Sequence, residues 1–253
     1  MHLSPSAYLL LAATGLVAGL VDSIAGGGGL VALPMLLNLG FPAPLALGTN
    51  KLQSCVGTFT SSRHYVRSGI VDLNACRLGV AITFLGSLLG AWTVEHLDSG
   101  LLARVIPWLL AAIFLFTLFR PKVGRHDAPP RMGRTAFFVA AGLCLGFYDG
   151  FFGPGVGSLW AIGLVLALGQ NFMKATGYTK VMNVTSNTAA IILFAAGGRI
   201  DYTAGLVMAA GQVCGARLGA GLVVKNGARF VRPIFLVVVA VTVARLIYVA
   251  ARR

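Results

Sequence analysis

The fold turns on the stretch Gly19-Leu20-Val21-Asp22-Ser23-Ile24-Ala25-Gly26-Gly27-Gly28-Gly29, because the chain writes it again as Gly146-Phe147-Tyr148-Asp149-Gly150-Phe151-Phe152-Gly153-Pro154-Gly155. Each copy runs an apolar helix into an aspartate and then into a glycine-rich break. Working outward, the offset of 127 residues becomes 129 from Gly40 onward and then holds. Gly40 meets Gly169, Ala46 meets Ala175, Gly48 meets Gly177 and Lys51 meets Lys180. Farther on, Gly69-Ile70-Val71-Asp72 matches Gly198-Arg199-Ile200-Asp201, and the run Gly86 to Ala91 matches Gly215 to Ala220. Shared glycines alone are weak evidence, since small residues let membrane helices approach closely. The matched Asp and Lys positions carry the repeat.

Composition says which solvent surrounds these helices. Of 253 residues, 57% are hydrophobic and 11% charged, and a mean hydropathy of +0.84 belongs to a chain solvated by a bilayer. A spanning helix needs roughly 20 mostly apolar residues. Segments near Ala7–Ile24, Leu45–Ser62, Leu78–Val94, Leu101–Phe119, Phe137–Phe152, Val181–Ala196, Ala204–Val224 and Pro233–Ala250 meet or approach that length, whereas Leu30–Leu39 and Val156–Leu168 do not. The expected fold is therefore an all-α polytopic membrane protein of two homologous helical repeats, each with a broken or re-entrant glycine-rich segment. The boundaries are 1–119 for the first repeat, 120–134 for a basic linker and 135–253 for the second repeat.

The net charge of +13 comes from basic residues scattered over short interhelical segments, so it reads as positive-inside loops rather than a nucleic-acid surface. The linker, with Arg120, Lys122, Arg125, Arg131 and Arg134, is assigned to the cytoplasmic side, together with the loop bearing Arg63, Arg67 and Arg77. Inverted repeats are favoured over parallel ones because they also put Lys225, Arg229 and Arg232 inside. Cys55, Cys76, Cys144 and Cys214 show no metal or disulfide spacing. The histidines suggest no metal or catalytic set, and no nucleotide-binding motif is present. No cofactor, metal or catalytic residue is expected.

Gly19 through Asp22, Gly26 to Gly29, Pro34, Gly40 and the run Ala46-Leu47-Gly48-Thr49-Asn50-Lys51 through to Gly69 resemble the signature of the TauE/SafE sulfite exporter family, of the 4-toluene sulfonate uptake permease type. The resemblance spans nearly the whole chain. It implies a carrier in a bacterial inner membrane for small sulfur-containing anions such as sulfite, sulfoacetate or another organosulfonate. It therefore implies an uptake or export carrier, not an enzyme, with export taken as the expected direction. An anion-selective channel and a membrane sulfur-transfer protein using Cys55 are the alternatives. The second copy departs at Gly153-Pro154-Gly155-Val156 and at Tyr178-Thr179, where the first has four glycines and Thr49-Asn50.

A lysine at membrane depth costs about 2.5 to 3.5 kcal/mol on insertion scales, so it faces a cavity or a partner unless it snorkels to the headgroups. After Lys51 come Gln53, Ser54 and Thr58, and after Lys180 come Asn183, Ser186 and Asn187. Asn50, Ser54 and Thr58 share one helical face, as do Asn183 and Asn187. Helix N-termini opened by the breaks bind anions through free N–H groups. The expected substrate site is thus Lys51, Lys180, Asn50, Gln53, Ser54, Thr58, Thr179, Asn183 and Asn187, with backbone from Gly27, Gly28, Gly29 and Gly155. Asp72 and Asp201 read as helix caps. Asp22 and Asp149, beside the breaks, suit two roles equally: carrying a coupling proton or bonding the open N–H groups. Arg217, where the first repeat has Leu88, suits substrate choice in the second half, snorkelling and a pair with Asp149 equally. The expected partners are a small anion and the bilayer; nucleic acid is excluded, and a homo-oligomer is left open.

Overall fold

The computed structural model describes residues 3–118 and 126–226, and every element among them is helical. In chain order these are α1 (Pro5–Ala25), α2 (Gly29–Asn38), α3 (Ala43–Arg67), α4 (Arg77–Glu95), α5 (Ser99–Leu118), α6 (Arg134–Phe151), α7 (Val156–Leu168), α8 (Phe172–Ala196) and α9 (Tyr202–Asn226). The apolar segment Pro233–Ala250 and the basic residues Arg120, Lys122, Arg125, Arg229, Arg232, Arg252 and Arg253 lie outside the described residues.

Local chemistry sets the helix ends. The Ser4 hydroxyl accepts from the Ala7 N–H to open α1, with Pro5 in the first turn, where a missing N–H costs nothing. Gly26 closes α1 in the left-handed region (φ 72°), its N–H donating to the Asp22 carbonyl, as a C-terminal glycine does. Pro42 and Pro44 flank the start of α3, and the Asn171 side chain caps α8 on the Lys174 N–H at 3.0 Å. At 1.5 Å per residue, the 25-residue α3 and α8 are about 37 Å long, enough to cross a bilayer, whereas the 10-residue α2 is about 15 Å long and too short.

Close contacts give the helix directions. Gly15 meets Met208 and Gly19 meets Gln212, so α1 and α9 run parallel. Gly79 meets Phe138 and Gly150 meets Ser87, so α4 and α6 also run parallel. Between α3 and α8 the order reverses, with Gly48 against Phe194, Cys55 bonded to Thr188 and Tyr65 against Gly177. Leu52 packs on Gly205 and Gly57 on Gln212, which aligns α3 with α9 and therefore with α1. Helix α2 is the return stroke between α1 and α3. By the same registers Thr83–Met182 and Ser87–Ser186 align α8 with α4 and α6, and α7 is the return stroke there. Small residues make these approaches possible, for a methyl on Gly26 would sit 2.5 Å from the Gly157 Cα.

Polarity is arranged inside out. Leu9, Phe59, Leu85, Trp92, Trp108, Ile192, Leu206 and Leu218 are exposed on six different helices, whereas Asn50, Lys51, Gln53, Thr58, Asp149, Lys180, Asn183 and Gln212 are buried. A soluble domain does the opposite. Lipid fits the outer surface and the polar residues face one another within. Pro5–Ile24 and Asn74–Glu95 are long and apolar enough to cross a membrane by composition alone. Helices such as α3 and α8 fall short of that measure because each carries this polar stripe. Trp160, unlike Trp92 and Trp108, is fully buried and packs against Phe137.

Candidate functional site

The two lysines each reach across to the aspartate of the other half. Lys51, two turns into α3, donates to Asp149 Oδ1 at 2.5 Å and also to the Asp149 carbonyl at the end of α6. Lys180, two turns into α8, donates to Asp22 Oδ2 at 3.1 Å and to the Asp22 carbonyl at the end of α1. Each ammonium thus binds a carboxylate and a helix C-terminal carbonyl together, which suits its charge to the helix dipole. Neither lysine snorkels: their side chains are 1% and 0% exposed.

The pairs are not equal. The Ser186 hydroxyl donates to Asp149 Oδ2, and the Ser87 hydroxyl in turn donates to the Ser186 carbonyl at 2.6 Å. The Asp22 side chain is also the more open of the two, 11% exposed against 3% for Asp149. Gly153, at φ +98°, lets the backbone pass close to Lys51, since a Cβ there would lie 2.8 Å from Nζ. An ordinary side chain fits neither that conformation nor that space.

Between the pairs lies a cavity of about 20 Å³, room for roughly one water. Asp22, Gly26, Gly29, Asn50, Lys51, Ser54, Thr58, Asp149, Gly153, Gly155, Val156, Asn183 and Asn187 line it. The starts of α2 and α7, at Gly29 and Gly155, reach its wall, and neither helix has a side-chain cap. The Asn183 Oδ1 is buried without a hydrogen-bond partner.

Ten of the expected residues therefore meet at one cavity. Lys180 reaches it only through Asp22, and Gln53 stands behind it, donating to Asn50 Oδ1 at 3.0 Å and to Ser54 Oγ at 3.1 Å. Thr179 turns its hydroxyl back to the Ala175 carbonyl, and Gly27 and Gly28 form the turn without lining the wall. Gly26 and Gly153 join the wall without any signal in the sequence beyond their place in the breaks, and Val156 follows Gly155 into it. The spacing of Ser186 from Lys180 is visible in the sequence, but its partner Asp149 is not.

Asp201 caps α9 on the Ala204 N–H at 3.0 Å, and Asp72 accepts from the Asn74 N–H at 2.9 Å. The change from Thr49-Asn50 to Tyr178-Thr179 keeps one interaction, for the Thr49 hydroxyl accepts from the Asp201 N–H and the Tyr178 hydroxyl from the Asp72 N–H. What it does not keep is the cavity-facing amide, present at Asn50 and absent at Thr179. Cys55 bonds Thr188 at 3.4 Å and is not in the lining. Arg217 is exposed, and Asp149 pairs with Lys51 and Ser186 instead.

A lipid-facing helical bundle with charge pairs and open helix ends around an internal cavity is the build of a membrane transporter. The chain belongs to the sulfite exporter TauE/SafE family, whose profile matches residues 11–246. It is 41% identical over 245 residues to the probable membrane transporter protein YfcA of Escherichia coli strain K12, covering 97% of this chain and 91% of that protein. A probable membrane transporter protein of Haemophilus influenzae is 41% identical over 239 residues, 94% of each chain. The probable membrane transporter protein ORF9 of a Sinorhizobium species is 36% identical over 232 residues, 92% of this chain and 88% of that protein. No solved structure is significantly similar.

Proposed function

We propose that the chain is a secondary transporter that exports a small sulfur-containing oxyanion, such as sulfite or an organosulfonate, across a bacterial inner membrane, taking a proton as the counter-charge. The observation that carries this reading is the pair of crossed Lys–Asp contacts around one cavity. Two lysines and two aspartates make a neutral set. An anion entering it adds one buried negative charge, which a low-dielectric site opposes. If the anion takes Lys51 from Asp149, the released carboxylate is left unpaired, and a proton on it restores neutrality. The starts of α2 and α7 add the positive ends of their helix dipoles on the anion's other side.

The halves read as inverted repeats with re-entrant α1–α2 and α6–α7 hairpins: α1, α3 and α9 share one direction and α4, α6 and α8 the other. The same reading puts repeats at 1–119 and 135–253, with 120–134 on the cytoplasmic side. A cavity with room for about one water represents a closed state, so an oxyanion enters only as the walls part. Closure by ion pairs favours a carrier over an open channel. Lys51→Gln and Lys180→Gln in proteoliposomes test the reading. Loss of anion counterflow in Lys51→Gln supports it, and full transport by both variants removes it.

A further inference from the structure

Behind the cavity wall, Gln53 of α3 and Gln212 of α9 are both fully buried, and three of their four amide atoms have no hydrogen-bond partner: Gln53 Oε1, Gln212 Oε1 and Gln212 Nε2. Gln212 packs on Gly57, one turn beyond Gln53, and on Gly19, one turn before Asp22. Gln53 is tied to the cavity directly, since its Nε2 donates to Asn50 and Ser54. Leaving such groups unsatisfied is costly.

The other half shows that the fold does not need amides here. At the 129-residue offset, Gln53 corresponds to Met182 and Gln212 to Thr83. Those two side chains touch, with the Thr83 hydroxyl 3.5 Å from the Met182 sulfur, and both are buried. One flank of the cavity is thus closed by a nearly apolar, satisfied pair. The other carries two amides with open valences, and a glycine at position 57 makes the room for one of them.

We infer that Gln53 and Gln212 form a second hydrogen-bonding station for the transported oxyanion, on the α1–α3–α9 flank of the ion-pair cavity. The inference rests on the transport reading above. The Gln212 Nε2–H donates to an oxygen of the anion. The two Oε1 atoms accept from its O–H when it is protonated, or from the water that travels with it. The station makes the two flanks inequivalent, so an oxyanion bearing a proton or a bound water is held on one side of the ion pairs only.

The test replaces the amides with the pair the fold already uses opposite, Gln53→Met with Gln212→Thr, and sets Gln212→Leu beside it. Counterflow of sulfite is measured in proteoliposomes, with sulfite binding followed by tryptophan fluorescence and stability by thermal unfolding in detergent. The expected result is equal or higher thermal stability, sulfite affinity within about twofold of wild type, and maximal transport reduced by about tenfold or more. Transport within about twofold of wild type in either stable variant overturns the station. Unfolding of both variants also overturns it, by assigning the amides to packing. A wild-type protein that moves no anion at all fails the transport reading itself, which the variants cannot mimic.

Discussion

Replacing Lys51 with glutamine leaves Asp149 as a charge 3% exposed to solvent, facing the Ser186 hydroxyl without its cation. Removing one partner of a buried ion pair costs about 3 to 5 kcal/mol, because the remaining charge loses its compensation. Lys51→Gln is therefore expected to lower unfolding free energy by about that amount, and Lys51→Gln with Asp149→Asn to recover most of it, ending within roughly 1 to 2 kcal/mol of wild type. For the other pair the loss should be smaller, about 1 to 3 kcal/mol for Lys180→Gln, since the contact is 3.1 Å and Asp22 is 11% exposed. The assay is denaturant unfolding in detergent micelles across both double-mutant cycles. A Lys51→Gln loss below about 1 kcal/mol, or a double variant no better than the single, refutes the pairing argument.

Gly26→Ala should abolish stable expression or transport, because its Cβ would meet the Gly157 Cα at 2.5 Å in a left-handed backbone; size-exclusion recovery and counterflow read this. Asp201→Ala should cost about 1 kcal/mol through loss of the α9 cap, visible as a lower thermal midpoint with transport retained. Lys174 donates to Asp127, which also accepts from the Asn171 N–H, and these bonds hold the Asp127 carboxyl below its usual range. Its contribution is present above that range and fades as pH falls through the lowered value. Because the pair is half exposed, Asp127→Asn should change stability by less than about 1 kcal/mol and only above that pH, as thermal scans across pH can check. A reporter fused to the C-terminus should be active on the outer face; cytoplasmic activity contradicts inverted repeats.

Much of this was legible in the sequence because charge is scarce inside a membrane. Asp22, Lys51, Asp149 and Lys180 stood out as repeated ionisable residues beside glycine breaks, and the stripe Asn50, Ser54, Thr58 pointed to a wall that the structure does line. Which aspartate each lysine meets was not legible. That pairing joins Lys51 to Asp149 and Lys180 to Asp22 across the two halves, and it depends on how the bundle closes. Periodicity along one helix says nothing of that. Thr179 reads like Asn50 by position, yet its hydroxyl is taken up by its own helix, as threonine hydroxyls commonly are. Gln212 stood in an apolar segment where nothing local marked it; only comparison with Thr83 across the repeat, together with its burial, brings it out.

The central claim is that an oxyanion and a proton cross together at the Lys51–Asp149 pair. It is tested most directly by loading proteoliposomes with a pH-sensitive dye and following net sulfite uptake down its gradient and internal pH together, in wild type and Asp149→Asn, because one-for-one exchange returns every proton it carries. The account predicts saturable net uptake with internal acidification in step in the wild type, and net anion movement without coupled proton movement in Asp149→Asn. Proton movement that persists unchanged in Asp149→Asn, or anion flux in the wild type with no proton movement, would contradict it.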